Sequence, residues 1–161
     1  MNFEDSDPDW FEESDDDEND DQDGEDYNLN HERIDNLPVM IKAREIFEIV
    51  HSLVDTLPDD HDLHFLREQM LTDAALIPAK VAGAEGGDFY TLRMENAVLI
   101  KLAARALVTH TYTCKMFNLS NERYLDLLRI AIDEFRVLFV DWVNTFDKNN
   151  DIGDEWGNLF K

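Results

Sequence analysis

The chain has 161 residues, which is room for one domain of ordinary size and a tail. It carries 37 acidic and 14 basic residues, for a formal net charge of −23. This balance excludes a basic surface for non-specific nucleic-acid binding or for docking on anionic membranes. Its one cysteine, Cys114, excludes an intramolecular disulfide framework and a cysteine-based zinc site.

The first residues have neither the basic nor the apolar region of a signal peptide, and no run of 18 apolar residues occurs. The sequence therefore predicts a soluble, cytoplasmic protein with no membrane partner.

The N-terminal segment is strongly acidic. Residues 1 to 36 hold 17 of the 37 acidic residues and one of the 14 basic ones. Self-repulsion and a lack of apolar surface predict a disordered acidic tail over residues 1 to 35. Phe3, Trp10 and Phe11 lie among carboxylates, a pattern typical of segments that fold onto a partner. The segment is either a solubilising tail, or a docking peptide or nucleic-acid mimic.

Residues 36 to 146 contain four segments with apolar residues at helical spacing. The first predicted helix begins at Asn36 as N-cap and ends at Pro58. The second contains Pro78, which should kink it or mark its last turn. The predicted core faces are Val39, Ala43, Ile46, Ile49, Val50, Leu53 and Leu57, followed by Leu63, Leu66, Met70, Ala74, Ile77 and Val81.

The third predicted helix runs from Asp88 to about Phe117, and the fourth begins at Ser120 as N-cap. Their predicted core faces are Phe89, Leu92, Asn96, Leu99, Ala103, Ala106, Leu107, His110, Cys114 and Phe117, then Tyr124, Leu128, Ala131, Ile132, Phe135, Phe139, Trp142, Val143 and Phe146. Four amphipathic helices with short connections predict an all-α fold, an antiparallel up-down-up-down four-helix bundle.

The third helix carries more apolar residues than one core face needs. They are either scattered surface hydrophobes or an oligomer interface. On the predicted opposite side lie Tyr90, Met94, Ala97, Val108 and Tyr112. In the fourth helix Ile130 and Val137 also point away from the core face.

No catalytic, cofactor-binding or metal-ligating motif is found, so the sequence predicts no enzyme, no cofactor and no metal. His61, His64 and Glu68 share one helix face, which is either a solvated first turn or a zinc site of two imidazoles and a carboxylate. Asn96 and His110 are expected as a structural pair of polar groups in the core, with ligand orientation as the alternative.

The predicted C-terminal tail, residues 147 to 161, is acidic and aromatic. Its first part imitates a calcium loop but has Ile152 at position six and Asn158 at position twelve, where an EF-hand needs Gly and Glu. Trp156, Leu159 and Phe160 form one apolar face of a short turn. This face either packs back on the bundle or enters a partner's groove.

Residues 74 to 85, AALIPAKVAGAE, resemble the signature of the ribosomal-RNA intervening-sequence four-helix-bundle proteins. In that family an Ala-Ala pair precedes a Ser-Ile-Pro-like step, then Asn-Ile-Ala-Glu-Gly and a long helix. Here Leu76 stands where Ser is usual, Lys80 stands where Asn is usual, and residues 83 to 86 replace the compact Glu-Gly. The resemblance covers residues 37 to 146.

The resemblance implies an antiparallel four-helix bundle that assembles into a ring, typically a pentamer, without enzymatic activity. A related branch, the accessory proteins of diversity-generating retroelements, binds a reverse transcriptase and nucleic acid through a basic surface. Because this chain is acidic in both its tail and its body, direct nucleic-acid binding is not expected, and a basic protein partner is more compatible.

The leading hypothesis is a non-enzymatic homo-oligomeric adaptor that binds a protein partner through its bundle surface and its acidic-aromatic tails. Two rivals are an acidic mimic that occupies a nucleic-acid-binding protein and a nucleic-acid-binding accessory protein that uses Lys80, Lys101 and Arg105. A metal-dependent enzyme built on His61, His64 and Glu68 is the third.

Overall fold

The computed structural model describes residues 20 to 153, 155 to 157, 159 and 160, with side chains from residue 28 onward. The regular secondary structure of these residues is entirely helical, and none of them forms a strand. The α-helices are α1 (Asp20–Asp35), α2 (Pro38–Asp55), α3 (His64–Glu85), α4 (Tyr90–Met116) and α5 (Glu122–Val143), and a 3₁₀ turn, His61–Leu63, precedes α3. Within the described ranges, every helix is too short or too polar to cross a bilayer.

The described residues divide into two compact units, one that ends at Arg33 and one that begins at Ile34. Residues 20 to 35, predicted as part of a disordered tail, form the helix α1. Its acidic residues are concentrated in its first turns and Arg33 lies in its last turn, the order that the helix dipole favours. Phe3, Trp10 and Phe11, the predicted aromatic docking residues, lie outside the described residues.

The second unit begins two residues before the predicted boundary, because Ile34 is buried with the core residues. Helix α2 then starts at Pro38, with Leu37 rather than Asn36 in the cap position. Proline suits the first turn, since its missing N–H would have no helical partner there. The predicted core face of α2 is confirmed except at Ile49, which is half-buried.

Helix α3 passes through Pro78 and continues seven residues further to Glu85, so Pro78 does not mark the last turn. The core face of α3 is confirmed at Met70, Ala74, Ile77 and Val81. The proline is tolerated because its neighbours Ile77 and Val81 are fully buried, and their packing holds the helix on both sides of it.

Helix α4 has the predicted length, within two residues at each end, but a different buried face. Phe89, Leu92, Leu99 and Phe117, predicted in the core, are exposed. The residues that α4 buries are Tyr90, Ala97, Ile100, Ala103, Ala104, Leu107, Thr111 and Cys114. The predicted face is wrong over the first half of the helix because apolar residues surround most of its circumference there, and spacing alone cannot choose between them.

Helix α5 starts one residue later than predicted. Asn121 is its N-cap and accepts a hydrogen bond from the Arg123 amide at 2.9 Å. Most residues of the predicted α5 core face are buried or half-buried, whereas Tyr124, which was predicted in the core, is exposed. Ile130 and Val137 point away from the core, as the spacing predicts.

Four helices pack in a cycle: α2 against α3, α3 against α4, α4 against α5, and α5 against α2. Side chains distant in sequence meet across these contacts. Lys42 of α2 donates to Glu134 of α5 at 2.7 Å, and the Thr56 hydroxyl after α2 lies 3.1 Å from that of Ser120 before α5. The core lies between the four helices.

The C-terminal segment is part of the second unit and not a separate tail. Asp151 accepts hydrogen bonds from the Thr91 amide at 3.1 Å and from the Thr91 hydroxyl at 2.8 Å. The Tyr90 amide donates to the Asn150 carbonyl at 2.8 Å. Helix α4 lacks a side-chain cap of its own, so the segment that imitates a calcium loop supplies the cap instead.

Candidate functional site

A groove of about 550 Å³ lies between α4 and α5 in the described part of the chain, and it is called here the α4–α5 groove. Its apolar lining includes Val108, Phe139 and Val140. This size lies within the range of pockets that bind a few side chains or a small ligand. Lys101, Arg105 and Arg136 also line it.

Two of these cations are unusual in so acidic a protein. Lys101 and Arg105 are both exposed, and neither has an ion pair with another residue that the structure describes. They lie four residues apart, on one face of α4, where like charges repel and destabilise a helix. Arg136 pairs with Asp133 at 3.4 Å on the surface of α5, and Asp133 is the one acidic residue among the described lining residues.

The floor of the α4–α5 groove is supported by an aromatic stack. The Phe139 ring lies 5.9 Å from the Phe135 ring and 5.9 Å from the Trp142 ring, and Phe135 and Trp142 are buried. The Trp142 ring in turn meets Phe146 edge to face at 4.8 Å. Such a stack fixes the half-buried Phe139 ring, so the floor is preorganised rather than collapsible.

A second groove, of about 460 Å³, lies on the other side of α5, against α2. Glu45 and Glu48 line it together with Ile49, Tyr124 and Leu127. The two grooves beside α5 therefore carry opposite charge, acidic toward α2 and cationic toward α4.

Beside these grooves, α5 exposes large apolar side chains along its outer face. Leu127, Ile130 and Val137 are exposed by 51%, 56% and 60%, and we call these three residues the α5 outer stripe. They are aliphatic side chains at helical spacing on a helix whose neighbouring exposed positions are mostly charged.

The predicted oligomer interface of helix α4 is divided by the structure. Tyr90 and Ala97 are buried in the core, so their assignment to an outer surface is wrong. Met94 is half-buried, Val108 lines the α4–α5 groove, and Tyr112 is exposed. The Arg129 guanidinium lies 4.9 Å from the centre of the Tyr112 ring and orients it.

Asn96 and His110, which were predicted to form a polar pair in the core, make separate hydrogen bonds. His110 Nε2 lies 3.0 Å from a carboxylate oxygen of Asp73 on α3, and both side chains are largely buried. Asn96 instead donates to the Leu92 carbonyl at 2.9 Å. Its side chain also fills the space beside Gly83, where an added Cβ would come within 3.4 Å of the amide oxygen.

A second buried polar cluster joins the ends of three helices. Arg93 of α4 forms an ion pair with Glu85 of α3, and Trp142 of α5 donates to the same carboxylate oxygen at 2.7 Å. The Arg93 guanidinium lies 4.0 Å from the centre of the Phe146 ring. The Arg93 Nε atom is buried without a hydrogen-bond partner among the described residues, so the Glu85 carboxylate and the Phe146 ring are the contacts through which the cluster stabilises the packing of the helix ends.

The candidate zinc residues do not converge. His64 lies 3.1 Å from Glu68 one turn later, both side chains are exposed, and His61 belongs to the preceding 3₁₀ turn. Among the described residues no group of three or more His, Cys, Asp or Glu side chains is arranged to hold a metal ion. Cys114 is buried as predicted, and this burial raises the pKa of its thiol.

The three apolar residues predicted to share one face of the C-terminal segment lie in different environments. Phe160 packs against the core, whereas Trp156 and Leu159 are exposed by 86% and 73%. The predicted apolar face of this segment is therefore split between core contact and exposed surface.

The α4–α5 groove was not predicted from the sequence, because its walls come from two helices and the face that α4 turns toward α5 was not identified. The usable signal was the pair Lys101 and Arg105, four residues apart in an acidic chain. On α5, Arg136 and Val140 show the same spacing and line the opposite wall. No family model matches the chain, and no curated protein matches it either.

Proposed function

We propose that the protein is a cytoplasmic, non-enzymatic, homo-oligomeric adaptor, in which α2 to α5 form an antiparallel four-helix bundle. The bundle associates with further copies of itself and binds a protein partner through its surface and its acidic-aromatic tails. The observation that carries this proposal is the α5 outer stripe, three large aliphatic side chains exposed along one helix.

The antiparallel arrangement is supported by which ends of the helices meet. Glu85 at the end of α3 pairs with Arg93 near the start of α4. Asp73, nearer the start of α3, pairs with His110, nearer the end of α4. Lys115 at the end of α4 likewise pairs with Glu122 at the start of α5. Opposed chain directions with short connections are the normal outcome for consecutive amphipathic helices.

Self-association is supported by the cost of leaving the outer stripe in water. Each large aliphatic side chain that is fully buried contributes about 1.5 to 3 kcal/mol. Covering the exposed parts of Leu127, Ile130 and Val137 with a second surface would therefore add to the free energy of association. Closed symmetry is the usual result when a chain associates with copies of itself.

Partner binding through the tails is supported by their charge and aromatic content. Phe3, Trp10 and Phe11 are interspersed with carboxylates near the N-terminus, and Trp156 is exposed near the C-terminus. Acidic segments of this kind favour a partner with a basic surface. Several copies in one oligomer would multiply weak contacts by raising the effective concentration.

Light scattering after size exclusion tests the oligomer. We expect the same multiple of the chain mass for the full chain and for a chain that begins at Ile34, because the outer stripe lies in the second unit. The variant Ile130→Glu/Val137→Glu should be monomeric. Ile41→Glu is a matched control, since Ile41 is an exposed aliphatic residue on α2. A monomeric wild type at high micromolar concentration would contradict the proposal.

A second candidate, an acidic nucleic-acid mimic, is favoured by α1. That helix contains seven acidic residues and one arginine in its 16 positions. This excess of negative charge in the sequence would attract the basic surface of a nucleic-acid-binding protein. Competition with labelled duplex DNA for a basic DNA-binding protein tests this. The full chain should displace the DNA, and a chain beginning at Ile34 should not.

A further inference from the structure

The α4–α5 groove combines an apolar floor with two cations, Lys101 and Arg105, that have no ion pair among the described residues, and we propose that it binds an acidic amphipathic helix of a partner protein. This inference deepens the proposed function, because it rests on the protein having a partner and defines the chemistry of one binding surface. The partner segment would place aliphatic or aromatic side chains in the groove and carboxylates at its rim.

The apolar half of the argument lies in the floor. Val108 and Phe139 are half-buried and Val140 is exposed, so an inserted side chain would remove more of all three from water. The groove follows two neighbouring helices, and its length suits a helix that contributes residues at i, i+3, i+4 and i+7. The aromatic stack beneath Phe139 means that little reorganisation opposes binding.

The charged side chains of the groove lie at its rim. Lys101 and Arg105 repel one another on adjacent turns of α4, and no acidic residue in the described part of the chain compensates them. A partner helix with Glu residues four apart would present carboxylates at matching spacing. Binding would relieve the repulsion and add charge-assisted hydrogen bonds, which are stronger than neutral ones.

A protein helix fits these observations better than a nucleic acid. A phosphate backbone carries one charge per nucleotide and would meet the repulsion of a chain with a net charge of −23. A few carboxylates on an amphipathic helix meet less repulsion and can also cover the apolar floor. A second copy fits less well, because a groove of about 550 Å³ accepts a few anchoring side chains rather than a broad protein face.

Fluorescence anisotropy with the full chain tests the proposal. The probe is a labelled helical peptide of about 15 residues, or about 22 Å, with Leu at i, i+3, i+4 and i+7 and Glu on both flanks. We expect saturable binding that weakens as salt is added. We expect a peptide with Gln in place of every Glu to bind at least about tenfold more weakly. We expect the same of a peptide in which the positions of the Leu residues are scrambled.

Protein variants locate the site. Arg105→Glu/Arg136→Glu should weaken peptide binding about tenfold or more. Val140→Asp should do the same by placing a charge on the floor. Arg123→Glu is the matched control, because Arg123 is exposed on α5 and does not line this groove. Circular dichroism shows whether each variant keeps its helices.

Several results would overturn the inference. These are the absence of saturable binding, equal affinity for the scrambled peptide, and equal weakening by Arg123→Glu. Tighter binding of a single-stranded RNA of similar length would assign the groove to nucleic acid instead. A change of oligomer mass in Arg105→Glu/Arg136→Glu without peptide would assign it to a second copy. Peptide binding by monomeric Ile130→Glu/Val137→Glu would support the groove while separating it from the proposed oligomer.

Discussion

Trp142 donates its indole N–H to the carboxylate of Glu85 at 2.7 Å and thereby joins the last turn of α5 to the last turn of α3. The same oxygen receives the Arg93 guanidinium, which stacks on Phe146. Three helix ends thus share one carboxylate. Both charged side chains are largely withdrawn from water, with 7% of the Glu85 side chain and 13% of that of Arg93 exposed.

We expect Glu85→Ala to destabilise the fold by about 3 to 5 kcal/mol, because it leaves the buried Arg93 charge uncompensated. Glu85→Gln should cost less, since its amide oxygen still accepts from Trp142. Urea unfolding followed by tryptophan fluorescence measures both. The exposed pair Lys115–Glu122 is the control, and Glu122→Ala should change stability little. Equal stability of Glu85→Ala and wild type would show that the cluster contributes nothing.

The pair His110–Asp73 should behave as a unit. We expect His110→Ala to cost about 1 to 3 kcal/mol, because the largely buried Asp73 carboxylate loses its partner. His110→Leu/Asp73→Leu should recover part of this loss, since it removes both polar groups together. Chemical denaturation of the wild type, single variants and double variant provides the test. Additive losses would argue against a direct interaction.

Removal of the cap on α4 should be measurable. Asp151→Ala deprives the Thr91 amide and hydroxyl of their acceptor, and we expect a loss of about 1 kcal/mol. Lys148→Ala, in the same segment, is the control. Hydrogen exchange at the first turn of α4 should rise in Asp151→Ala and not in Lys148→Ala. An unchanged exchange rate would mean that the C-terminal segment does not hold this helix end.

Lys42 should contribute stability that depends on pH in the alkaline range. Its hydrogen bonds with Glu134 and then with Glu45 raise the pKa of the Lys42 ammonium above 10.5. Because the folded pKa is raised, the contribution is complete below pH 10.5 and is lost as the pH rises through the folded value. The stability difference between wild type and Lys42→Met should therefore be constant near neutrality and shrink at high pH. A difference that stays constant at high pH would contradict this prediction.

The sequence predicted α2 and α5 well because each has one dominant apolar face. In α2, charged and polar residues occupy the turns opposite Ile46 and Val50, so only one face can be buried. Helix α4 lacks this contrast: Leu99 and Ile100 are adjacent in sequence, but only Ile100 enters the core. The choice between them is made by packing against α3 and α5, which no local pattern contains.

The candidate site was harder to predict than the fold for a related reason. Lys101 and Arg105 are visible as a pair in the sequence, but their opposite wall is fixed only when α4 lies beside α5. Val108 was assigned to the outer side of α4, and the structure places it in the lining of this groove. A groove is a property of two helices and their relative rotation, whereas periodicity describes one helix at a time.

The reactivity of the Cys114 thiol reports how often the helical core opens. The thiol is the chain's one cysteine, and it is buried with a raised pKa, so a reagent in solution meets neither the sulfur nor its reactive thiolate in the native state. Modification must wait for helices α4 and α5 to separate from the core. The labelling rate by a thiol reagent therefore measures how often the protein opens, without any engineered probe.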